Sequence, residues 1–266
     1  MNKTSVRNCN DGSDTLYSDR FQEHYHNPNG AVTESRYVFM EQTKSGEHLV
    51  SHPETHILEI GFGTGLNFAL MSDLLLQEET SGKLIYFSIE GFPIDETTAS
   101  QLNYGQFLQN PAVADWLPTI FRDLKPGINN FTLSPKIELR IFYGLFEELS
   151  IPGSFADIIF FDAFSPQSNP ELWTGEVFQK LREGSKSEVI LSTYCAASSA
   201  RAAMAWAGWS VARVPGVLGK REMTLAALNP DMLGSYRRVN ERRLADRYEQ
   251  GDFEHQPPSS PREDDQ

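Results

Sequence analysis

A turn with three glycines is the first feature of the sequence that could hold a small-molecule ligand. It reads Gly61-Phe62-Gly63-Thr64-Gly65, follows Glu59 and Ile60 at the end of an apolar run, and precedes a helical pattern that begins at Leu66. Glycine permits positive φ angles and lets the backbone approach a ligand without a Cβ in the way. A strand end beside a helix N-terminus is also the usual ligand crevice of an α/β sheet. The turn therefore predicts a cofactor site, with a purely structural turn as the alternative.

The spacing of the glycines distinguishes between two adenosine cofactors. A dinucleotide site uses G-x-G-x-x-G, whereas this turn is G-x-G-x-G with Leu66 at the sixth position. Glu59 lies two residues before the first glycine, where a carboxylate suits a cationic sulfonium with its α-amino group better than a phosphate. Glu90 ends the next predicted strand, where it can accept the ribose hydroxyls of either cofactor or remain a solvated strand end. S-adenosyl-L-methionine is therefore favoured over a nicotinamide dinucleotide.

Asp162 is the candidate for contact with the reacting centre. It ends the apolar run 156–161 and is followed by Ala163-Phe164-Ser165-Pro166. At the carboxyl end of a central strand its side chain is expected to face the ligand crevice. An alkyl amine has a pKa near 10.4 and arrives mostly as an ammonium ion, which cannot act as a nucleophile. A carboxylate at this position can bind the cation, orient the amine and accept its proton. The alternative is an Asp that caps a loop.

Strand-like runs alternate with helical patterns through most of the chain. The predicted strands are 56–60, 84–89, 137–142, 157–161 and 189–193, and the predicted helices are 66–77, 170–181 and 198–207. Such alternation predicts βαβ units with parallel strands. Two further runs, 209–214 and 222–228, are too close together for a crossover helix and predict an antiparallel pair. The fold class is therefore α/β, with a mostly parallel sheet that ends in an antiparallel hairpin.

Composition limits the classes of protein that the sequence can represent. The chain has 266 residues, of which 39% are hydrophobic and 22% charged, which is typical of a globular protein of one or two domains. No run is long and apolar enough to span a bilayer, and the first ten residues have no apolar leader pattern. Cys9 and Cys195 are the only cysteines, so neither a disulfide framework nor a zinc site is expected. These features favour a cytoplasmic protein without a metal.

The net charge of −13 argues against general nucleic-acid binding, DNA included, because phosphate contacts need clustered Lys and Arg. The charge is unevenly distributed, however. Residues 213–247 contain eight Lys or Arg against four Asp or Glu, and they separate an acidic body from an acidic tail. The tail, 252–266, is polar and rich in proline, and we expect it to be disordered. Any RNA contact is therefore expected to be local, at a basic segment beside the active-site face.

The sequence resembles a known family, the methyltransferase half of the bifunctional tRNA wobble-uridine enzymes MnmC and, more closely, their stand-alone form, MnmD. The similarity is collinear over residues 17–228. The segments that match are HNPNGAVTESRYVF (26–39), LEIGFGTGLN (58–67), FDAFSPQSNPELWTGEVF (161–178), STYCA (192–196) and GKREMTLA (219–226). The resemblance implies a class I, Rossmann-like methyltransferase fold. We expect no flavin-dependent oxidase domain of the bifunctional type after Asn229.

The resemblance also implies an activity. Members transfer a methyl group from S-adenosyl-L-methionine to the amine of 5-aminomethyl-(2-thio)uridine at position 34 of tRNA, which gives 5-methylaminomethyl-(2-thio)uridine. The expected partner is thus the anticodon region of tRNA, with functional coupling to the other wobble-uridine modification enzymes. The implied domains are an N-terminal extension over the active site (1–54), a methyltransferase core (55–230), and the basic segment with its tail (231–266).

Individual roles follow from the matching motifs. Gly61, Phe62, Gly63, Thr64, Gly65 and Asn67 would contact the methionine part of the cofactor, Glu90 its ribose, and Asp162 the transferring methyl group. Phe164 and Pro166 would shape the base pocket, Glu34, Arg36 and Tyr37 would approach the substrate or cofactor, and Lys220 and Arg221 would reach RNA phosphate. For 34–37 the alternative is a surface hairpin, and for 220–221 a solvated turn.

One position departs from the family pattern. After the third predicted strand, where the family often has Gly-Asp, this chain has Gly144-Leu145, followed by Phe146 and Glu147. Adenine recognition by a carboxylate is therefore expected from Glu147 or is left to the backbone.

Three other functions are compatible with parts of the pattern. The same fold can transfer a methyl or aminopropyl group to a free small amine, which an acidic surface attracts. A nicotinamide-dependent oxidoreductase is disfavoured by Leu66 and by the terminal hairpin. A binding module with a relic pocket would lack methyl transfer altogether.

Overall fold

Strands and helices alternate through the centre of the chain, as the sequence predicts. The computed structural model describes residues 4–78 and 82–253. The strands are β1 (Thr4–Asn8), β2 (Asp14–Ser18), β3 (Glu23–His24), β4 (Glu54–Ile60), β5 (Lys83–Glu90), β6 (Gly127–Ser134), β7 (Ile137–Tyr143), β8 (Ala156–Phe161), β9 (Ser185–Thr193), β10 (Ser210–Pro215), β11 (Glu222–Ala227) and β12 (Arg237–Arg238). The α-helices are α1 (Ala31–Ser35), α2 (Ser45–Ser51), α3 (Leu66–Gln77), α4 (Glu96–Ser100), α5 (Trp116–Asp123), α6 (Gly175–Glu183), α7 (Ser198–Trp206) and α8 (Glu241–Glu249).

Nine strands form one sheet in the order β12-β10-β11-β9-β8-β4-β5-β7-β6. The five central strands β9, β8, β4, β5 and β7 are mutually parallel. Strand β11 pairs antiparallel with β9 and with β10, and β6 pairs antiparallel with β7. The order of the central strands reverses direction at β4, which is the type of position where open α/β sheets bind ligands.

The register of the central strands brings the two candidate motifs together. Ile60 of β4 is paired with Phe161 of β8 and with Ile89 of β5. The next residues are also linked, because Asp162 donates its backbone N–H to the Ile60 carbonyl at 2.9 Å. The glycine turn and Asp162, about a hundred residues apart in sequence, therefore lie at neighbouring strand ends.

Both faces of the sheet are covered by apolar packing. Along β8, Phe160 belongs to a buried cluster with Phe68 of α3, and the next residue, Phe161, belongs to a second cluster with Phe178 of α6. Successive strand residues point to opposite faces, so the unbroken apolar run of β8 serves both clusters. All four side chains are fully buried.

The predicted strands and the antiparallel pair are confirmed, and α3 has the predicted bounds. The helix expected over 170–181 is wrong at its start, because Pro170–Leu172 forms a 3-10 turn and α6 begins only at Gly175. Thr174 caps α6 by accepting a hydrogen bond from the Val177 backbone N–H. Side-chain capping by threonine fixes a helix start that hydrophobic periodicity alone does not reveal.

The N-terminal segment contains structure that the sequence pattern did not predict. Strands β1, β2 and β3 form a separate antiparallel sheet. The residues after it are helical, with a π-helical stretch over Arg36–Glu41, so a surface hairpin at 34–37 is wrong. Val32, Val38 and Phe39 are buried in the same cluster as α3, which explains why this segment folds back onto the core.

Among the described residues, no helix has the length and apolar character needed to cross a membrane. The described part of the chain also contains no group of His, Cys, Asp and Glu arranged to hold a metal ion. Residues 254–266, which make up most of the tail predicted to be disordered, lie outside the described residues.

Candidate active site

A cavity of about 490 Å³ lies at the carboxyl ends of β4, β5 and β8. The glycine turn and Asp162 form its inner wall, and residues from the N-terminal segment and from the β10–β11 loop close over it. The volume is in the range of sites that enclose a cofactor-sized ligand. The fold thus places the predicted cofactor motif in the wall of a substantial cavity.

The glycine turn adopts positive φ angles, which favour glycine, at three positions. Gly61, Gly63 and Gly65 have φ angles of 96°, 56° and 79°. A Cβ on Gly61 would lie 2.7 Å from the carbonyl oxygen of Asp162, which is backbone and cannot move aside. Gly61 therefore allows the ends of β4 and β8 to approach each other. Gly61 and Gly63 line the cavity, whereas Gly65 lies outside its wall.

Glu90 braces the glycine turn. Its Oε2 accepts the backbone N–H of Gly63 at 2.8 Å, and its Oε1 accepts that of Phe92 at 2.7 Å. Burial raises the pKa of Glu90, and the hydrogen bonds from Phe92, Gly63 and Gly91 oppose that shift. A carboxylate has about four acceptor positions, so Glu90 can still accept hydroxyl donors from the cavity side.

Asp162, Asn67 and Glu59 form a connected group behind the turn. The Nδ2 of Asn67 donates to Asp162 Oδ2 at 2.9 Å and to Glu59 Oε1 at 3.0 Å. Asp162 lines the cavity, and burial, followed by the charges of Glu59 and Glu34, raises its pKa well above the ordinary value. A carboxyl group with a raised pKa is a stronger base than an exposed one, which suits proton transfer from an amine.

Glu59 is too deeply buried to contact a ligand in the cavity. Its side chain is 1% exposed and is absent from the cavity wall. Its Oε2 accepts from the Ser88 hydroxyl at 2.9 Å, and burial raises its pKa to about 8. The expectation that Glu59 faces a cationic ligand is therefore corrected, because side chains of β4 and β5 enclose it beneath the turn.

Asn67 provides a test of whether the site fits S-adenosyl-L-methionine. Its Oδ1 is buried and has no hydrogen-bond partner among the described residues, while both amide hydrogens are used. A buried acceptor without a donor is costly unless a ligand supplies one. The α-ammonium group of this cofactor is such a donor, and the glycine turn offers backbone free of Cβ atoms beside it. The residues present therefore fit the methionine part of the cofactor.

The N-terminal segment contributes aromatic side chains that the sequence reasoning missed. Phe21 stacks on Phe164 with ring centroids 4.3 Å apart, and Tyr25 meets the same ring edge-on at 5.0 Å. Glu23 accepts the Ser165 hydroxyl at 2.9 Å and its backbone N–H at 3.2 Å. Phe21, Glu23 and Tyr25 all line the cavity. Their nearness to Phe164 depends on the N-terminal sheet, whose short strands have no periodic pattern of apolar residues.

Glu34 and Lys220 meet across the cavity from distant parts of the chain. Glu34 Oε1 accepts Lys220 Nζ at 2.8 Å, and its Oε2 accepts the Asn27 backbone N–H at 2.8 Å. Lys220 Nζ also lies 4.2 Å from the centre of the Tyr194 ring. Among the described residues that line the cavity, Lys220 is the one Lys or Arg. Lys220 therefore lines the site while its side chain remains 37% exposed, and its contact with RNA phosphate stays a prediction.

Several predicted site residues lie outside the cavity wall. Arg36 donates to the Phe107 carbonyl at 2.7 Å, and the Tyr37 hydroxyl donates to the Pro215 carbonyl at 3.0 Å. Arg221 is exposed and Pro166 is buried, and neither lines the cavity. Arg36 and Tyr37 are close to Glu34 in sequence but do not line the cavity, because their side chains are bonded to the Phe107 and Pro215 carbonyls.

The position that departs from the family pattern does belong to the cavity. Gly144, Leu145, Phe146 and Glu147 all line it. The Leu145 side chain is 49% exposed, and its backbone N–H lies 3.3 Å from Glu148 Oε2. Adenine recognition by the Glu147 carboxylate or by the local backbone stays a prediction.

Replacing Glu59 with glutamine is expected to stabilise the fold in a pH-dependent way. The pKa of Glu59 rises from 4.5 to about 8 on folding, so the folded chain holds a proton that the unfolded chain releases between these values. Wild-type stability therefore falls as pH rises through this window. Glu59→Gln removes that loss, so its melting temperature should exceed the wild-type value increasingly up to about pH 8. Melting curves across this range provide the measurement, and a difference that does not vary with pH would contradict it.

Comparisons with known proteins agree with the site geometry. Residues 111–229 match a family model described as S-adenosyl-L-methionine-dependent methyltransferase. The chain is 33% identical over 215 residues to the tRNA 5-methylaminomethyl-2-thiouridine biosynthesis bifunctional protein MnmC of Leptospira borgpetersenii serovar Hardjo-bovis (strain JB197), covering 79% of this chain and 33% of that protein. The MnmC protein of Delftia acidovorans is 30% identical over 222 residues, with coverage of 81% and 34%. The chain thus spans about a third of the length of these curated relatives.

A solved structure shares the fold. The crystal structure of MNMC2 from Aquifex aeolicus matches with a TM-score of 0.70 at 23% sequence identity, over 86% of this chain and 72% of that one. The central sheet thus has the class I methyltransferase fold. The chain belongs to the S-adenosyl-L-methionine-dependent methyltransferases, and S-adenosyl-L-methionine is its cofactor.

Proposed function

We propose that the protein methylates the amine of 5-aminomethyl-(2-thio)uridine at position 34 of tRNA and so produces 5-methylaminomethyl-(2-thio)uridine. The relatives of the chain are named as proteins of tRNA 5-methylaminomethyl-2-thiouridine biosynthesis, which supports this substrate. The observation that supports it most strongly is the position of Asp162. Its carboxyl group lies in the wall of the cofactor cavity, 2.9 Å from Asn67 Nδ2 and with a raised pKa.

The charge of the cavity favours a cationic amine. Six carboxylates line it, against Lys220 as the one Lys or Arg among the described lining residues. These carboxylates are Glu23, Glu34, Glu90, Glu147, Asp162 and Glu171. Burial lowers the pKa of His26, which also lines the cavity, to about 4, so it adds no positive charge near pH 7. The interior thus attracts an ammonium group and disfavours phosphate.

The reaction needs the substrate nitrogen in its neutral form. Bound cofactor supplies an activated methyl group in the cavity. Asp162 binds the incoming ammonium, accepts one proton from it, and leaves the nitrogen lone pair free for attack. Asn67 holds Asp162 Oδ2 in place during this transfer. The protein's contribution is therefore orientation and proton removal in a site sheltered from water.

The base must leave its stack to enter such a cavity. Nucleotides in a single-stranded loop such as the anticodon are commonly recognised by stacking of splayed bases on aromatic side chains. Phe21, Tyr25 and Phe164 form such a group at the cavity wall. We infer that these rings hold the uracil while the acidic interior receives its aminomethyl group.

An assay with labelled S-adenosyl-L-methionine tests this function. The acceptors are tRNA containing 5-aminomethyluridine at position 34, the same tRNA without that modification, and a free polyamine. We expect label only in the first. Transfer to the polyamine that ignores tRNA would instead favour the small-amine function, which the acidic cavity alone also permits. Absence of transfer by folded protein to any of the three would contradict both.

The basic segment is the proposed contact for the tRNA backbone, although it lies farther from the cavity than the sequence suggested. Strand β12 contains Arg237 and Arg238 and is four strand positions from β8, about 19 Å at a spacing of about 4.8 Å. Arg242 and Arg243 are exposed on α8. The tRNA backbone can contact this edge while the modified uracil lies in the cavity, because an anticodon arm spans several nucleotides.

Neutralising this edge is expected to weaken tRNA binding. Changing Arg237, Arg238, Arg242 and Arg243 to glutamine should raise the Kd for tRNA at least ~tenfold at low salt and flatten its salt dependence, because fewer counterions are released. Binding measured over a salt series is the readout. The control is Arg122→Gln with Arg140→Gln, an exposed arginine on α5 and a half-buried one on β7, next to the opposite edge strand β6. Equal losses in both variants would contradict a local contact.

The remaining expectations are proposals of the same kind. We propose that the protein works in the cytoplasm, where tRNA is modified, and both of its cysteines are free and buried thiols. Functional coupling to other wobble-uridine enzymes follows from the substrate, since another enzyme must first install the aminomethyl group. We also propose that residues 1–54 act as an extension over the core 55–230.

A further inference from the structure

A single asparagine links two carboxyl groups in the inner wall of the site. Both amide hydrogens of Asn67 are used, one on Glu59 Oε1 at 3.0 Å and one on Asp162 Oδ2 at 2.9 Å. Asn67 is 4% exposed and Glu59 is 1% exposed, whereas Asp162 opens to the cavity. The three side chains therefore form one unit with an enclosed end and an open end.

No cation is paired with either carboxyl group in the part of the chain that the structure describes. Lys220, the one lysine among the described residues that line the cavity, forms its ion pair with Glu34. Other titratable groups influence the pKa of Asp162 or of Glu59, namely Glu34 from α1, Tyr86 and Glu90 from β5, and Lys220 from the β10–β11 loop. The charges of Asp162 and Glu34 in turn raise the pKa of Tyr194. Most of these are acidic, so two ionised carboxylates at Glu59 and Asp162 would repel each other without compensation.

We propose that Glu59 is a positioning residue for the methyl transfer, which fixes Asp162 through the shared Asn67 amide and, as a second carboxyl group behind it, makes Asp162 a stronger proton acceptor. The assignment of the proton acceptor to Asp162 rests on the proposed function. The role of Glu59 differs from direct contact with the cofactor, which its enclosure excludes.

The second carboxyl group changes how readily Asp162 takes up a proton. Two neighbouring carboxylates ionise together only at a cost, so each one raises the proton affinity of the other. Glu59 accepts hydrogen bonds from Asn67 and Ser88 behind the glycine turn, whereas Asp162 borders the cavity, where the proton of the substrate arrives. A proton that passes from the substrate ammonium to Asp162 therefore also relieves the repulsion between Asp162 and Glu59.

The titration of Asp162 in the full-length protein without substrate tests this role. Carbon-13 labelling of Asp carboxyl groups gives an NMR signal for Asp162, which its loss in Asp162→Asn identifies. Glu59→Gln keeps the shape and the bond to Asn67 but removes the like charge. We expect the midpoint of Asp162 to fall by about one pH unit or more, a tenfold change in proton affinity. An unchanged midpoint would overturn the proposal.

A milder variant guards against loss of folding. Ser88→Ala removes the 2.9 Å hydrogen bond to Glu59 Oε2, which stabilises the ionised form of Glu59. Its loss favours the neutral form of Glu59, so the midpoint of Asp162 should fall, by a smaller amount than in Glu59→Gln. Asp73→Asn is the matched control. Asp73 is a buried carboxylate on the same helix as Asn67, bonded to the backbone N–H groups of Gln109 and Asn110 and outside the cavity wall. It should leave the titration of Asp162 unchanged.

Cofactor affinity separates positioning from direct contact. If Glu59 acts through Asp162, Glu59→Gln should leave the Kd for S-adenosyl-L-methionine within about threefold, because a lost charged contact would cost more. A tenfold or larger increase would overturn the proposal in favour of cofactor contact. Both readouts are independent of tRNA, so a failed methyl-transfer assay would contradict the proposed function and leave this test intact.

Discussion

Replacing Asp162 with asparagine should lower the rate of methyl transfer by ~10²–10⁴, the usual contribution of a positioned proton acceptor. The substitution preserves the shape of the side chain, and its carbonyl oxygen can still accept from Asn67 Nδ2 as Asp162 does at 2.9 Å. It removes the ability to bind an ammonium ion through charge and to accept its proton. Steady-state rates with 5-aminomethyl tRNA give the measurement.

Two controls make the loss at Asp162 interpretable. The Kd for S-adenosyl-L-methionine should change little, since the glycine turn, Glu90 and Asn67 remain in place. The melting temperature should not fall, because burial already raises the pKa of Asp162 and a neutral amide avoids that cost. A variant that folds, binds cofactor and keeps more than a tenth of the wild-type rate would contradict a proton-accepting role.

Gly61→Ala should have the second large effect, on cofactor binding and stability together. The φ angle of Gly61 is 96°, which costs an alanine on the order of 1–3 kcal/mol. The added Cβ would lie 2.7 Å from the Asp162 carbonyl oxygen, so β4 and β8 would have to move apart at the floor of the site. We expect a ~100-fold or larger increase in the Kd for S-adenosyl-L-methionine, because small displacements at a preformed site are costly.

Gly127→Ala separates the clash from the backbone strain. Gly127 has a φ of 94°, nearly that of Gly61, but a Cβ there meets nothing within 4 Å. It begins β6 at the edge of the sheet and lies outside the cavity wall. Gly127→Ala should therefore lower the melting temperature without changing the Kd for the cofactor. Similar Kd values for the two variants would contradict the role assigned to the Gly61 approach.

Local patterns in the sequence identified the centre of the site. The glycine turn and Asp162 are each next to a long apolar run, and the strand-end rule for α/β sheets brings such motifs to one edge. The observed pairing of Ile60 with Phe161 follows from that rule. The positions of Gly61 and Asp162 could thus be predicted without any knowledge of the side-chain packing.

The outer wall of the site could not be predicted in this way. Strand β3 has only two residues, so alternation gives no signal there, and the stacking of Phe21 on Phe164 depends on how the N-terminal sheet folds back. The enclosure of Glu59 depends on Ser88 of the neighbouring strand, which no spacing within β4 reveals. Likewise, charge counting found the basic segment, but only strand order shows that β12 lies at the edge of the sheet.

The nucleoside content of tRNA is the most direct test of the proposed reaction. In tRNA from cells that lack this protein, mass spectrometry of digested nucleosides should show 5-aminomethyl-2-thiouridine at position 34. Purified protein with S-adenosyl-L-methionine should convert it to 5-methylaminomethyl-2-thiouridine, and the Asp162→Asn protein should not. An unchanged nucleoside profile in the deficient cells, together with no conversion by folded wild-type protein, would contradict the proposal.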